Sequence, residues 1–589
     1  MKETFRNLLL GCTGGLLSVG CVLNDGRPAG ETLLETVEKT EPVYFQDKKD
    51  KPKELTPEEK QAKEDEKIAK RFQALAHYSA ALAHKERGEE KEALTEFYKA
   101  ATADPSNEKI VMEVVQLLIA NRERNKLFQL LIQATKDPDA PARLHAMLAA
   151  TYLDRKKPDL AKVAAKNAIR RDPKGIAGYR TLIQIYQSEI RAGQKRTKEI
   201  RTVLDDALKQ EKVETEFQIG LASMLADHLA LDKKAEKELK PKITKLLDDA
   251  WKTKPKNPIQ VEQVARAYRR IGNHEKAAEA MESLLKLLPN NPLVILETAR
   301  GLALAGKMDQ AKTQLDGLIK KFPKNWQGRQ LRAAIAMDQD EYGLAVTHYR
   351  EAVKLAPRIS QLHYDLVSAL LANEKPDDAA KELAAAKKKF RADFQQIYFG
   401  AMIHLQKDDY GKAHEALVEA EKFAKESDPD RLTHFLYFQL GSTAERSKQY
   451  KTAEKFFRKS ISIKPDYATA LNYLGYMWAD RNENLDEAKK FIARALKEEP
   501  ENAAFLDSMA WVYFRKGNVK EALKWQLKAL KHSKEDDAEL LMHLGEMYHA
   551  LKDEKNARKY LEKAKGVKDT DDDIKAKIEA KLKALGGKK

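Results

Sequence analysis

From about residue 68 onward, apolar residues recur at three- and four-residue spacing in stretches a few turns long, each closed by a short polar break. That period belongs to amphipathic helices, and the stretches come in pairs. Setting "NHEKAAEAMESLLKLLPNN" over "KMDQAKTQLDGLIKKFPKN" puts Ala277 over Ala311 and Pro289 over Pro323, 34 residues apart. The step continues through Ala345, Ala379 and Ala413 and, after a longer gap, resumes through Ala453, Ala488, Ala522 and Ala557, spaced 35, 34 and 35. Each period predicts two helices around a turn, where Gly88, Gly272, Gly306 and Gly517 fall. Small residues such as Ala265 and Ala277 let the helices approach, and Phe97, Tyr349 and Phe457 fill the gap to the next pair. Pro105, Pro173, Pro289, Pro323, Pro357, Pro465 and Pro500 stop each second helix, because proline cannot donate to the helix ladder.

A 34-residue helix–turn–helix period with this pattern resembles the tetratricopeptide repeat (TPR). The resemblance implies an all-α TPR solenoid, a right-handed superhelix in which stacking buries the apolar face that no unit can bury alone. Units start near residues 74, 108, 142 and 176, then 258, 292, 326, 360 and 394, then 434, 468, 503 and 538. With a longer unit at 214–257, that makes about fourteen. The expected division is an N-terminal array over 68–257, a central array over 258–427 and a C-terminal array over 428–568. A capping helix from about Asp571 to Leu585 and a basic tail occupy 569–589.

The start of the chain is different. Lys2 and Arg6 precede an uncharged, mostly apolar stretch from Leu8 to Gly20, the layout of a secretory signal. It is too short and Gly-rich to span a bilayer, which takes about 20 apolar residues. Leu17-Ser18-Val19-Gly20-Cys21 resembles a bacterial lipobox, which implies that residues 1–20 are removed and that the Cys21 thiol is acylated. Several acyl chains at one terminus give stable anchoring, where a single chain does not. Cys12 and Cys21 are the only cysteines, so the repeats carry no disulfide framework. Residues 21–67, with Pro28, Pro42, Pro52, Pro57 and "DKKDKPKELTPEEKQAKEDEK", read as a disordered tether.

Composition adds little chemistry. The formal net charge is +16, which permits contact with a polyanion, but Lys and Glu alternate as on solvated helix faces and no basic block interleaves with aromatics. "GLALAGKM" ends a phosphate-loop spacing in Met308 rather than Ser or Thr and crosses a repeat turn. Asp569, Asp571 and Asp573 have calcium-loop spacing, but Ile574 stands where the loop needs glycine. Without paired histidines at metal spacing or a nucleophile elbow, the chain reads as non-enzymatic, with no metal and no cofactor.

Binding is the positive expectation. In TPRs, positions 2, 5, 9, 12 and 13 of the first helix face the inner groove. In the later units these positions hold Tyr364, Tyr398, Met402, Phe435, Phe438, Asn472, Tyr476, Trp511 and Phe514, flanked by Gln361, Gln395 and Gln406. Rings and amides there suit an extended peptide, or else they pack between helices. In the unit starting at 258 the same positions give Ile259, Glu262 and a basic patch of Arg266, Arg269 and Arg270.

The block Leu471 to Leu530, with "LNYLGYMWADR" and "AAFLDSMAWVYFRKG", resembles bacterial TPR lipoproteins, including outer-membrane adaptors of a periplasmic carboxyl-terminal processing protease. That resemblance implies a lipid-anchored scaffold in the cell envelope, most naturally on the outer membrane facing the periplasm, which holds partner proteins such as a protease and its substrates. The alternative reading is a cytosolic basic TPR protein that binds RNA or another polyanion.

Overall fold

A computed structural model describes residues 56–137, 140–568 and 570–586. Among them are 29 α-helices, two 3-10 turns and no strand. Cys21 and the leader lie outside the described residues, as does the tether up to residue 55.

The first helix, Pro57–Glu86, begins inside the stretch expected as tether, so that expectation fails for residues 57–67. A local cause is visible. The Thr56 hydroxyl accepts from the Glu59 N–H at 3.2 Å while the Glu59 carboxylate accepts from the Thr56 N–H at 2.8 Å. This reciprocal cap, Pro57 at the first helical position and Glu58 beside the positive helix end turn a charged segment into a helix start.

Fourteen helix pairs follow one another, with first helices beginning at Pro57, Glu108, Ala142, Ile176, Thr215, Pro258, Pro292, Trp326, Ser360, Phe394, His434, Ala468, Ala503 and Ala538. We number the pairs as repeats 1 to 14. The chain is a TPR-type helical-repeat protein, as its period predicts. Repeat 5 is the irregular one: its second helix, Glu236–Lys252, follows a 3-10 turn and carries Pro241 near its start. Helix Asp572–Gly586 closes the series.

One turn recurs between the two helices of a repeat. The Asn273 N–H donates to the Tyr268 carbonyl and the Glu123 N–H to that of Leu118, both at 2.9 Å, leaving the intervening residue in the left-handed region. Glycine fills that place at Gly88, Gly272, Gly306 and Gly517, with φ of 76–78°. Elsewhere it is held by residues with side chains, Arg122, Lys156, Asp340, Glu374, Asp408, Lys448, Asn482 and Lys552, at φ of 55–65°. The turn therefore forms without the glycine that marks it in sequence.

Side-chain size sets helix contact within each repeat. A Cβ built on Gly441 would lie 2.6 Å from the Phe457 ring, so glycine is what lets that ring seat. Ala265, Ala277, Phe97, Tyr349 and Phe457 are all buried.

The chain divides into two compact units between Leu318 and Ile319, a boundary inside the stretch expected as a central array. In the first unit, a continuous apolar core runs from Ala74 to Val294. In the second, neighbouring cores centre on Tyr364 and Phe399, on Phe457 and Trp478, and on Leu541 and Leu561.

Candidate partner-binding surfaces

The inner positions of the two units differ. In the second unit, the residues expected to line a groove pack into the core instead. Tyr364, Tyr398, Met402, Phe438, Asn472 and Trp511 are buried, and Phe435, Tyr476 and Phe514 are half-buried. The reason is ring packing. Tyr398 stacks on Phe394, Phe438 meets Tyr467 and Tyr473 edge-on, and Trp511 stacks on both Phe514 and His543. Tyr364, Tyr398, Met402, Phe438 and Trp511 therefore belong to the apolar cores, with Tyr476 and Phe514 packed against them.

Polar groups in this wall are mostly tied to one another. The Tyr364 hydroxyl donates to Asp393 at 2.8 Å and the Tyr476 hydroxyl to Glu539 at 2.6 Å. Gln330 and Gln361 donate to the two oxygens of Asp365 at 2.9 and 2.7 Å, and burial lifts that carboxyl to about 6. His543 is buried against the Asp507 carboxylate at 3.0 Å. Burial works against its charge, but the attraction and hydrogen bond of Asp507, together with the charges of Glu539 and Glu546, outweigh it and raise the imidazole to about 9. The Gln526 amide donates to the same carboxylate.

The expected basic patch in repeat 6 is neutralised. Arg266 lies 3.1 Å from Glu262, Arg269 lies 3.0 Å from Glu297, and Arg270 pairs with Asp227. Each of the three guanidiniums meets a carboxylate, Glu297 being shared with Arg300 at 2.6 Å, so most of the patch's charge is paired.

In the first unit, five large aliphatic side chains stand exposed on first-helix inner positions: Leu75, Leu82, Ile119, Ile259 and Leu293, at 41–65% exposure. All five exposed large hydrophobics of the second unit, Leu344, Leu355, Val418, Ile463 and Leu527, lie on second helices instead. Five of the nine exposed large hydrophobics described in the first unit thus sit on the inner register, with Ile68, Phe72, Leu231 and Leu287 elsewhere, and none of those in the second unit does. The sequence carried this signal as apolar residues at positions 2, 9 and 12 of the early units, overshadowed by the aromatics further on.

Among the described residues, no three His, Cys, Asp or Glu side chains converge as metal ligands, and no helix is long and apolar enough to cross a membrane. The residues of the phosphate-loop look-alike form the repeat turn, with Gly306 at φ +77°.

Known proteins match parts of the chain. A tetratricopeptide repeat model matches residues 271–335, and the family described as regulator of microtubule dynamics protein 1-3 matches residues 436–586. A TPR repeat-containing protein of Pseudomonas aeruginosa is 29% identical over 178 residues, which are 30% of this chain and 29% of that protein. The match therefore spans under a third of that relative's length. Among solved structures, the Cut9–Hcn1 hetero-tetramer of APC/C is similar over 81% of this chain and 89% of its own, at 14% identity and TM-score 0.37. Human IFIT1, as a dimer with m7Gppp-AAAA, is similar over 68% and 92%, at 16% identity and TM-score 0.32. MamA of Desulfovibrio magneticus RS-1 is similar over 29% and 97%, at 19% identity and TM-score 0.27.

Proposed function

We propose that the chain is a non-enzymatic scaffold that holds partner proteins on the inner face of its N-terminal unit. The observation that carries this reading is the exposure of Leu75, Leu82, Ile119, Ile259 and Leu293 on the inner register. Leaving large aliphatics in water forgoes about 1.5–3 kcal/mol each, which a partner's apolar side chains would recover. Between them, charged groups such as Glu262 and Arg266 supply a polar rim. Replacing Leu75, Ile119 and Leu293 together by Glu should abolish partner crosslinking in cells while helix content and melting stay unchanged. Retained crosslinking would remove this face from consideration.

We further propose that the scaffold is anchored in a bacterial envelope through acylated Cys21, with the segment before Thr56 as spacer. Support comes from the run Leu17 to Cys21 and from the lack of any cysteine after Cys21 in the sequence. A Cys21→Ala variant should lose lipid labelling and leave the membrane fraction; unchanged fractionation would end the anchor reading. Adaptor service to a periplasmic processing protease rests on the resemblance of Leu471 to Leu530 alone, and loss of protease co-purification on deleting the chain's repeats is its test.

A further inference from the structure

Helix Asp572–Gly586 begins 34 residues after helix Ala538–Ala550, in register with the first helix of a further repeat. It rests on both helices of repeat 14. Its footing is narrow: Ile578 alone is fully buried, while Ile574, Leu582 and Leu585 pack half-buried against a surface that includes Leu541, Met542 and Leu561. The remaining attachment is ionic. Lys581 sits 2.7 Å from Glu546, Lys577 acts electrostatically on Glu445, and Asp571, just ahead of the helix, lies 3.8 Å from Arg446. Glu445 and Arg446 belong to repeat 11, so this segment reaches across the inner side of repeats 11 to 14.

The wall it meets is acidic. Asp480 and Glu539 both act on Glu445, which burial and these like charges push up. The segment has the opposite balance: from Asp572 to Lys589 it carries six lysines against Asp572, Asp573 and Glu579. Nearby inner positions also keep unmet hydrogen-bonding capacity, since the buried Asn472 Oδ1 and Trp511 Nε1 have no protein partner among the described residues.

We propose that the inner wall of repeats 11 to 14 is a docking site for a basic amphipathic helix, and that Asp572–Gly586 is its built-in occupant, displaced by a partner helix of the same chemistry. An ordinary cap would need only the apolar ridge. Here a wall with Glu445, Asp480, Glu539 and Glu546 meets a helix of net positive charge through one fully buried residue and ion pairs of both senses, Lys581 with Glu546 and Glu579 with Lys565. Such contacts are individually weak and salt-sensitive. A competitor inside the molecule lowers apparent affinity for a partner by the fraction of time the site is open, so the helix sets a threshold for engagement. This inference rests on the scaffold reading but concerns the other unit. Its failure would leave the N-terminal inner face untouched.

The test uses the full chain and a labelled synthetic peptide of residues 572–589. With Lys577→Glu and Lys581→Glu in the chain, the peptide should bind at least about tenfold more tightly than to wild type. Adding Glu546→Lys to that variant should remove the gain. In the wild-type chain, which needs no variant to fold, excess peptide should speed amide exchange across Asp572–Gly586 and leave Ala538–Ala550 unchanged. Equal peptide affinity for both chains, a gain that survives Glu546→Lys, or exchange indifferent to the peptide would each overturn the proposal.

Discussion

The indole of Trp511 lies on the imidazole of His543, ring centroids 4.0 Å apart and planes 18° from parallel, with the Asp507 carboxylate 3.0 Å from the imidazole. A tryptophan at an inner position thus forms part of a buried charged cluster. Asp507→Ala leaves the imidazole without its counter-charge and should cost about 3–5 kcal/mol, the penalty for stranding one half of a buried pair. Chemical denaturation near neutral pH measures it. A loss below about 1 kcal/mol would mean that the cluster is solvated.

The same cluster makes stability depend on pH. The folded His543 sits at about 9, above its unfolded value of about 6.5, so the charged form favours the fold. Its contribution is complete below pH 6.5 and fades as pH rises through 9. Asp365 is also raised, to about 6 against an unfolded value near 3.9, and its neutral form favours the fold. That contribution is lost as pH climbs from about 4 to 6. Melting curves of wild type and Asp365→Asn should therefore diverge between pH 4 and 6, while His543→Gln should remove the decline between pH 7 and 9.

Packing, not ligand contact, explains Tyr398 and Phe438. Tyr398→Ala or Phe438→Ala should each cost about 3–5 kcal/mol, as truncation of buried rings does. Leu75→Ala and Ile119→Ala, on the exposed inner face of the first unit, should stay within about 0.5 kcal/mol of wild type. Thermal melts of the four variants separate the two classes.

Turn residues offer a gain. Lys448 and Arg122 hold the left-handed position at φ 59°, where a side chain costs about 1–2 kcal/mol. Lys448→Gly should raise stability by up to about 1 kcal/mol, less the entropy that glycine adds to the unfolded chain. Gly517→Ala, at φ 78°, should lower it by about as much. Differential scanning calorimetry reads both.

The fold was legible in the sequence because the 34-residue period is imposed by packing: each Ala at the close approach and each Pro past the second helix answers a local constraint. Every proline expected to stop a second helix lies two residues past one, as Pro289 lies after Leu287. The site was less legible. Register alone marks Tyr364 and Leu75 as equivalent inner residues, but it cannot say which inner face the chain fills with its own rings. That depends on contacts between neighbouring first helices, such as Phe438 with Tyr473, and between more distant ones, such as Tyr476 with Glu539. Charge pairing was equally hidden, since Arg269 meets Glu297 only after repeats 6 and 7 stack.

One measurement addresses the central claim directly: site-specific photocrosslinking in intact cells from Leu75, Ile119 and Leu293, compared with Val418 and Leu527 on second helices. A partner held on the inner face should give one recurrent set of protein adducts from the first three positions and none of that set from the last two. Adducts distributed evenly over all five, or confined to Val418 and Leu527, would contradict that claim.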